Sequence, residues 1–294
     1  MAADDLWQRT LKRTQQALAC GALQSIPTDY QYVEDGGIRF LVRVVANLER
    51  KAAARRPVDP FALPGSPKAN PFLPYEQELF VSNLSDSHVC LLNKFNVVEH
   101  HLLVVTRAFE PQEALLSLAD FEALWLCLEQ VNGLGFYNAG EIAGASQRHK
   151  HLQLVPLPLA PNGPAVPIQP ALDGALPNGA TSTCPALPFA HAYVRPPWQA
   201  VPYRDRAEAT LGAYLDLLRT VGLVPNTSPL PRSAAAPYNL LVTRDWMLLV
   251  PRSQEHVERV SINALGFAGA LLVRTPEDLA RLKSVGPLSL LRRA

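Results

Sequence analysis

The sequence predicts an α+β fold in which antiparallel strands are segregated from a few helices. Three observations carry this. Short β-type runs follow one another closely between residues 75 and 106, amphipathic stretches stand apart from them, and twelve of the 27 prolines fall between Pro156 and Pro202. That proline density excludes central strands and a continuous helix, so the stretch is predicted to be an extended crossover. A chain of 294 residues holds one large domain or two smaller ones, and 48% hydrophobic residues suffice for a packed core.

The elements follow in order. Asp4 to Ala22 is dense in helix formers, with Leu11 and Leu18 at helical spacing and Gly21 near its end, which predicts a helix. Tyr30 to Val45 is rich in β-branched and aromatic residues around Gly36-Gly37 and reads as a hairpin. Arg55 to Pro74 carries prolines at 57, 60, 64, 67, 71 and 74 and is predicted to be a surface loop. Tyr75 to Leu84, His88 to Phe95 and His101 to Thr106 are then expected to pair as an antiparallel meander.

Ser117 or Asp120 can cap a helix through Val131, because Phe121, Leu124, Trp125, Leu128 and Val131 recur at steps of three and four and Gly133 ends the run. Beyond the crossover, Asp205 to Val221 places Leu211, Tyr214, Leu215 and Leu218 on one helical face. Asn239 to Val250 reads as a hairpin turning at Arg244 and Asp245. Thr275-Pro276-Glu277-Asp278 is a helix start, with threonine at the cap and proline at the first position.

Composition narrows the function. A formal charge of +1, from 27 Lys+Arg against 26 Asp+Glu, gives no general footprint for nucleic acid or an anionic membrane. Met1 to Arg13 carries Asp4, Asp5, Lys12 and Arg13, unlike a signal peptide, and no run approaches the ~20 apolar residues of a membrane span. Cys20, Cys90, Cys127 and Cys184 form no C-x-x-C pair, so reduced thiols in a cytoplasm are expected.

The most informative stretch is His149 to Leu154. In a strand His149, His151 and Gln153 share one face while Lys150, Leu152 and Leu154 take the other. Upstream, Gly140 to Gln147 is a small-residue loop whose amides and hydroxyls suit a phosphate. A neutral imidazole attacks phosphorus without a strong base, a second orients it, and a carboxamide bonds a phosphate oxygen without adding charge. Lys150 points away and carries less weight as a catalyst. A lone strand histidine is more often structural, but two on one face after such a loop favour a site. A zinc pair competes, although no third ligand stands beside them. His88, His100, His101, His191 and His256 share no spacing with a second catalytic group and read as structural or exposed.

These residues carry a specific resemblance. Gly144-Ala145-Ser146-Gln147 followed by His149-Lys150-His151-Leu152-Gln153 resembles the His-x-His-x-Gln signature of the transferase branch of the histidine triad superfamily. Within that branch the chain is most similar to ATP adenylyltransferases, the diadenosine tetraphosphate phosphorylases. Asn70-Pro71-Phe72 with Pro74, Leu91 to Phe95, His101-Leu102-Leu103 with Thr106-Arg107, and Tyr238 to Leu241 with Trp246-Met247 extend it from about Tyr30 to the C terminus. The implied architecture is a histidine-triad-like antiparallel sheet with flanking helices in a single-chain transferase. Residues 1–203 would form the catalytic region with the crossover, and residues 204–294 the C-terminal adenylyltransferase region.

The resemblance implies a ping-pong reaction. His151 would attack the α-phosphorus of diadenosine tetraphosphate, releasing ATP and retaining AMP, and phosphate would then take the AMP to give ADP. His149 would support the nucleophile, and Gln153 would hold the α-phosphate. Gly144, Ala145, Ser146 and Gln147 would contact the phosphates. Asn138, Asn93 and Lys94 would line the nucleotide site, and Lys51 matches an early substrate-binding lysine that its neighbour Arg50 could equally supply. Asn239 joins this set, Arg244 and Arg252 flank its hairpin within reach of distal phosphates, and Met247 borders a base pocket or belongs to the core. No covalent cofactor and no protein-bound metal are implied, with Mg2+ entering only alongside the nucleotide. Hydrolases of the superfamily carry a third histidine where Gln153 stands, and a carboxamide cannot relay a proton, which favours transfer. Hexose-1-phosphate uridylyl transfer and non-catalytic dinucleotide sensing are the alternatives.

Overall fold

The computed structural model describes residues 5–45, 70–174, 179 and 181–294. Most of the Pro-rich stretch Arg55 to Pro74, together with Arg50 and Lys51, lies outside the described residues. Helix α1 (Leu6–Ala19) begins where the Asp5 side chain accepts the Gln8 amide. The predicted hairpin is β1 (Thr28–Asp35) and β2 (Ile38–Val45), paired antiparallel across Gly36-Gly37. The meander is β3 (Phe80–Asn83), β4 (His88–Leu92) and β5 (Leu102–Thr106). Its first strand starts later than expected, because Gln77–Leu79 takes a 3-10 turn.

Helix α2 (Leu118–Leu128) settles the choice of cap. Ser117 accepts the Asp120 amide and the Asp120 carboxylate takes the Ser117 amide, a reciprocal box that satisfies two otherwise orphaned donors. The chain continues through β6 (Gly133–Asn138) to β7 (His151–Pro156), which begins at the second histidine of the motif rather than the first. The crossover supplies one helical turn, α3 (Gln169–Asp173), and a three-residue edge strand, β8 (Ala192–Val194). Then come α4 (Arg206–Thr220), the hairpin β9 (Tyr238–Val242) and β10 (Met247–Pro251), and a two-residue pairing of β11 (His256–Val257) with β12 (Val260–Ser261). The chain ends in α5 (Ala264–Phe267), β13 (Ala270–Val273), α6 (Pro276–Val285), capped by Thr275 as predicted, and α7 (Pro287–Arg293).

Eight strands form one antiparallel sheet in the order β3-β4-β5-β7-β6-β9-β10-β8, and β1, β2 and β13 form a second. β13 pairs with β2 in parallel, which no local turn signal announces. Both faces of the large sheet are covered, as alternation along β7 requires. Leu152 and Leu154 join the core beneath α1, α2 and α4, while Val155 joins the core shared with the small sheet and the C-terminal helices. On that second face a smaller cluster of Phe72, Val89, Leu91, Leu103 and Val105 covers β4 and β5. His151 and Gln153 lie between the two apolar patches.

Lys150 does point away from that face, and it is buried. Its Nζ meets Asp120 Oδ2 at 2.6 Å, Glu110 Oε2 at 3.1 Å and the Leu115 carbonyl at 3.2 Å. His88, structural as expected, places Nε2 3.0 Å from Asp120 Oδ1. Burial opposes ionisation of Asp120, but the His88 and Lys150 contacts and the Ser117 amide outweigh it and hold the carboxyl down at about 2. The ion pair ties the motif to the first turn of α2. Asp120→Asn leaves a buried ammonium with its main counterion gone, so unfolding free energy measured in urea should fall by about 3 kcal/mol.

Candidate active site

Three histidines converge on the open face of β7, and each has its tautomer fixed by its neighbours. His151 Nδ1 lies 2.8 Å from the carbonyl oxygen of His149. A carbonyl only accepts, so Nδ1 carries the proton and Nε2 keeps its lone pair. Burial pushes this ring down to about 4, so the imidazole is neutral at physiological pH.

His149 is protonated on the other nitrogen. Its Nε2 donates to the Thr106 carbonyl at 2.8 Å, and its Nδ1 accepts from Asn70 Nδ2 at 2.9 Å. Burial also lowers this ring's affinity for a second proton. With both nitrogens engaged, His149 offers no lone pair to a metal. Among the described residues no group of three or more His, Cys, Asp or Glu stands close enough to hold a metal ion.

The third ring is His101, which the sequence reading set aside. Its signal was alternation: His101, just before β5, is in phase with Leu103 and Val105, and Leu103 pairs with Gln153 while Val105 pairs with His151. Asn93 donates to His101 Nδ1 at 3.2 Å. Desolvation pushes His101 down to about 4; an interaction with the Gln153 side chain works against the shift, and the nearby His151 adds to it. Phe72 was also missed; its ring packs 5.5 Å from His149 and 5.4 Å from His151.

The backbone of His151 is held by a side chain far away in sequence. β6 and β7 stay paired only as far as Phe136 and Gln153, and beyond that pair Gln112 fills the gap. Its Oε1 accepts the His151 amide at 2.9 Å, and its Nε2 donates to the carbonyls of His151 and Asn138 at 3.1 and 2.9 Å. No spacing rule could have linked Gln112 to the motif.

The other residues singled out in the sequence divide into three groups. Gln153 is half-buried beside the histidines, Ser146 is exposed, and Gln147 is half-buried. The loop is less open than expected, because the amides of Ala143, Gly144 and Ala145 turn inward to the carbonyls of Gly140 and Glu141. Gly144 adopts φ +91, and a Cβ there would sit 2.7 Å from that of Asn263, so only glycine fits.

Asn138, Asn239 and Arg252 form a buried scaffold under this loop. Asn239 Nδ2 donates to Asn138 Oδ1 and to the Ala143 carbonyl, both at 2.8 Å. Arg252 Nη1 donates to Asn239 Oδ1 at 2.6 Å and to the Ile262 carbonyl at 2.8 Å. Desolvation lowers the guanidinium to about 10. Met247 is wholly within the core. Asn93 holds His101, Lys94 pairs with Glu76 at 2.5 Å, and Arg244 bonds the Leu128 carbonyl at the end of α2.

Residues 1–174 match the model of the Ap4A phosphorylase N-terminal domain, and residues 185–294 match that of the ATP adenylyltransferase C-terminal domain. Diadenosine 5',5'''-P1,P4-tetraphosphate phosphorylase 2 of Saccharomyces cerevisiae is 30% identical over 241 residues, 72% of this chain and 71% of that one. Protein APA1 of the same yeast is 27% identical over 214 residues, 65% of this chain and 63% of that one. The fold is that of yeast Ap4A phosphorylase Apa2, whose crystal structure gives a TM-score of 0.78 at 23% identity over 100% of this chain and 98% of that one. The crystal structure of Apa2 in complex with Ap4A gives 0.76 at 24% identity, with the same coverage.

Two outcomes follow from the geometry. His101 and His151 are held at about 4 against 6.5 when unfolded, so above pH 6.5 both states are neutral and neither ring alters stability. As the pH falls from 6.5 towards 4 the unfolded chain takes up protons that the folded one refuses. Stability then drops by on the order of 3 kcal/mol per ring and flattens below 4. Urea unfolding at a series of pH values should show this slope, reduced in His151→Gln. Separately, Gln112→Leu leaves the His151 amide and carbonyl buried without their partner and should cost about 2–3 kcal/mol in the same measurement.

Proposed function

We infer the reaction from the premise that the chain belongs to the Ap4A phosphorylase family of ATP adenylyltransferases. The proposed reaction is the reversible phosphorolysis of diadenosine tetraphosphate to ATP and ADP through an AMP-histidine intermediate. One observation carries the assignment of roles: among the three site histidines, His151 alone has its proton fixed on Nδ1, which leaves the Nε2 lone pair free.

Nε2 of His151 attacks the α-phosphorus. The bond from that phosphorus to the bridging oxygen breaks with its electron pair, ATP departs, and AMP stays on the ring. No proton need leave the nucleophile. The imidazole instead becomes positively charged, and its Nδ1–H tightens on the His149 carbonyl, a preorganised dipole aimed at the developing charge. Inorganic phosphate then attacks the same phosphorus through one of its oxygens. The P–N bond returns its pair to Nε2, and ADP leaves.

Gln153 donates to a non-bridging oxygen of the α-phosphate, and Ser146 and Gln147 meet the polyphosphate at the exposed end of the loop. His149 acts on the nucleophile rather than the substrate. Asn138, Asn239 and Arg252 act through the loop they support, and no side-chain proton is exchanged at position 153, which suits phosphate acceptors and polyphosphate leaving groups. The proposal uses no covalent cofactor; Mg2+ accompanies the polyphosphate. We place the enzyme in the cytoplasm, where four thiols with no disulfide stay reduced. No helix among the described residues is long and apolar enough to cross a membrane.

Incubation with diadenosine tetraphosphate and phosphate should yield ATP and ADP in equal amounts, and omission of phosphate should stop turnover after one equivalent of ATP. An acid-labile, alkali-stable AMP adduct should form on the wild-type protein and be lost in His151→Ala, with turnover reduced by roughly 10^3-fold or more. Phosphate-independent release of AMP would overturn the assignment, and an adduct surviving in the variant would move the nucleophile elsewhere.

A further inference from the structure

Two Asn-x-Phe turns flank the histidine strand and treat their histidines alike. In Asn70-Pro71-Phe72, the Asn70 Oδ1 takes the Phe72 amide at 3.0 Å, which directs Nδ2 at His149 Nδ1. In Asn93-Lys94-Phe95, the Asn93 Oδ1 takes the Phe95 amide at 3.3 Å, which directs Nδ2 at His101 Nδ1. Each carboxamide is locked by its own turn, so each ring must carry its proton on Nε2. There the likeness ends. The Nε2–H of His149 finds the Thr106 carbonyl, whereas Nε2 of His101 is buried with no acceptor at good hydrogen-bonding geometry among the described residues, Gln153 being the side chain that interacts with the ring.

A buried donor with no acceptor is rare in native proteins and calls for an explanation. The position of the ring supplies one. His101 precedes β5, yet its ring packs 5.8 Å from Phe136 on β6, and β7 runs between those two strands. Gln153 is the β7 residue paired with Leu103 on one side and with Phe136 on the other. The imidazole therefore reaches across the sheet at Gln153, whose half-buried side chain stands between it and the open face.

We propose that His101 is a positioning residue: its Nε2–H donates to Oε1 of Gln153 when substrate binds and so turns the Gln153 NH2 group towards the scissile phosphate. This rests on the reading of Gln153 as a phosphate ligand. A free carboxamide can present either end, and its oxygen would repel a phosphoryl oxygen. An imidazole N–H on the inner side donates only to the oxygen end, so the outer end is always the NH2 donor. Burial keeps the ring neutral, which preserves the single Nε2–H needed for the contact.

The test is a double-mutant cycle read on ATP release in a single turnover, with diadenosine tetraphosphate saturating and phosphate absent. His101→Phe and Gln153→Leu should each slow this step by about tenfold or more, with little change in KM, and the double variant should be no slower than Gln153→Leu alone. Multiplied losses would show that His101 acts independently of Gln153, by direct substrate contact or through the fold, and would overturn the proposal. His101→Asn, which keeps a donor on a shorter arm, should recover part of the rate.

A second measurement does not depend on turnover or on the variant's folding. In wild-type protein with 15N-labelled histidine and glutamine side chains, titrated with AMP, His101 should appear as the Nε2–H tautomer, its proton slow to exchange. A cross-hydrogen-bond coupling to Gln153 and a downfield shift of the Gln153 NH2 should accompany AMP binding. An Nδ1–H tautomer, or a Gln153 NH2 unmoved by AMP, would overturn the proposal even if phosphorolysis is observed. Absence of phosphorolysis with the NMR signature intact would instead overturn the reaction assignment alone.

Discussion

The contact on which this site depends is the hydrogen bond from His151 Nδ1 to the carbonyl of His149. It is short in sequence but demanding in geometry. For a carbonyl two residues upstream to face the ring, residues 149 and 150 must leave the regular ladder, and the strand duly begins at His151. Leaving a ladder exposes backbone groups that a buried site cannot hydrate, and each must find another partner. Gln112 takes those of His151 and reaches Asn138 as well. The Lys150 amide goes to the Glu110 carbonyl, and the Thr106 amide and hydroxyl both approach the Lys150 carbonyl at 3.3 Å. The segment from Arg107 to Leu116 is therefore part of the nucleophile's mounting.

The buried cations fit the same logic. Lys150 and Arg252 are the buried lysine and arginine side chains among the described residues, and both are bonded within the protein interior. Lys150 spends its charge on Asp120 and Glu110 behind the strand. Among the described residues Arg252 has no buried carboxylate partner and is held by carbonyls, Asn239 and the face of Phe267, 5.1 Å from its guanidinium carbon. Such a cation is costly to bury but rigid once every donor is used. It fixes Asn239, which fixes the Ala143 carbonyl and with it the loop that leads into the motif. Among the described residues, phosphate recognition in the proposed reaction thus falls to hydrogen-bond donors set on a stiff frame; Arg50 and Lys51 lie outside them.

What was legible in the sequence was local. The period-two alternation correctly separated the face of His151 and Gln153 from that of Leu152 and Leu154, because that pattern is a property of strand geometry alone, but the strand begins at His151 and not at His149 as the alternation had it. Helix starts were legible from capping chemistry: Thr275 was named outright, and Ser117 was one of two candidates. Contacts between distant segments were not. Gln112 lies 39 residues from His151, and β13 lies more than 200 from β2; neither leaves a trace in periodicity. His101 was overlooked because it shares no spacing with a second catalytic group, and only the register of β5 against β7 reveals its neighbours. Asn138 and Asn239 were drawn from the family resemblance, and Arg252 from its place beside the Asn239 hairpin. Burial separates those that brace a loop from those that meet solvent, and burial is a tertiary property.

Gln153, which the resemblance to the histidine triad superfamily sets where its hydrolases carry a third histidine, acquires a physical meaning from the tautomers around it. An imidazole at position 153 could accept or donate at either nitrogen, and its protonation would follow the pH and the bound phosphate. A carboxamide has no such freedom beyond a flip about its last torsion. The surrounding site shows the same preference for fixed donors: His149 and His101 each have the tautomer set by an asparagine that is itself locked by a backbone amide. His151 alone retains an unengaged ring lone pair with its proton assigned. A site built this way can bond to phosphorus and release it again, but among these side chains it holds no group poised to take a proton from water. Phosphate reaches the same phosphorus already carrying its negative charge, so a site without a general base discriminates in favour of transfer through the acceptor's own chemistry.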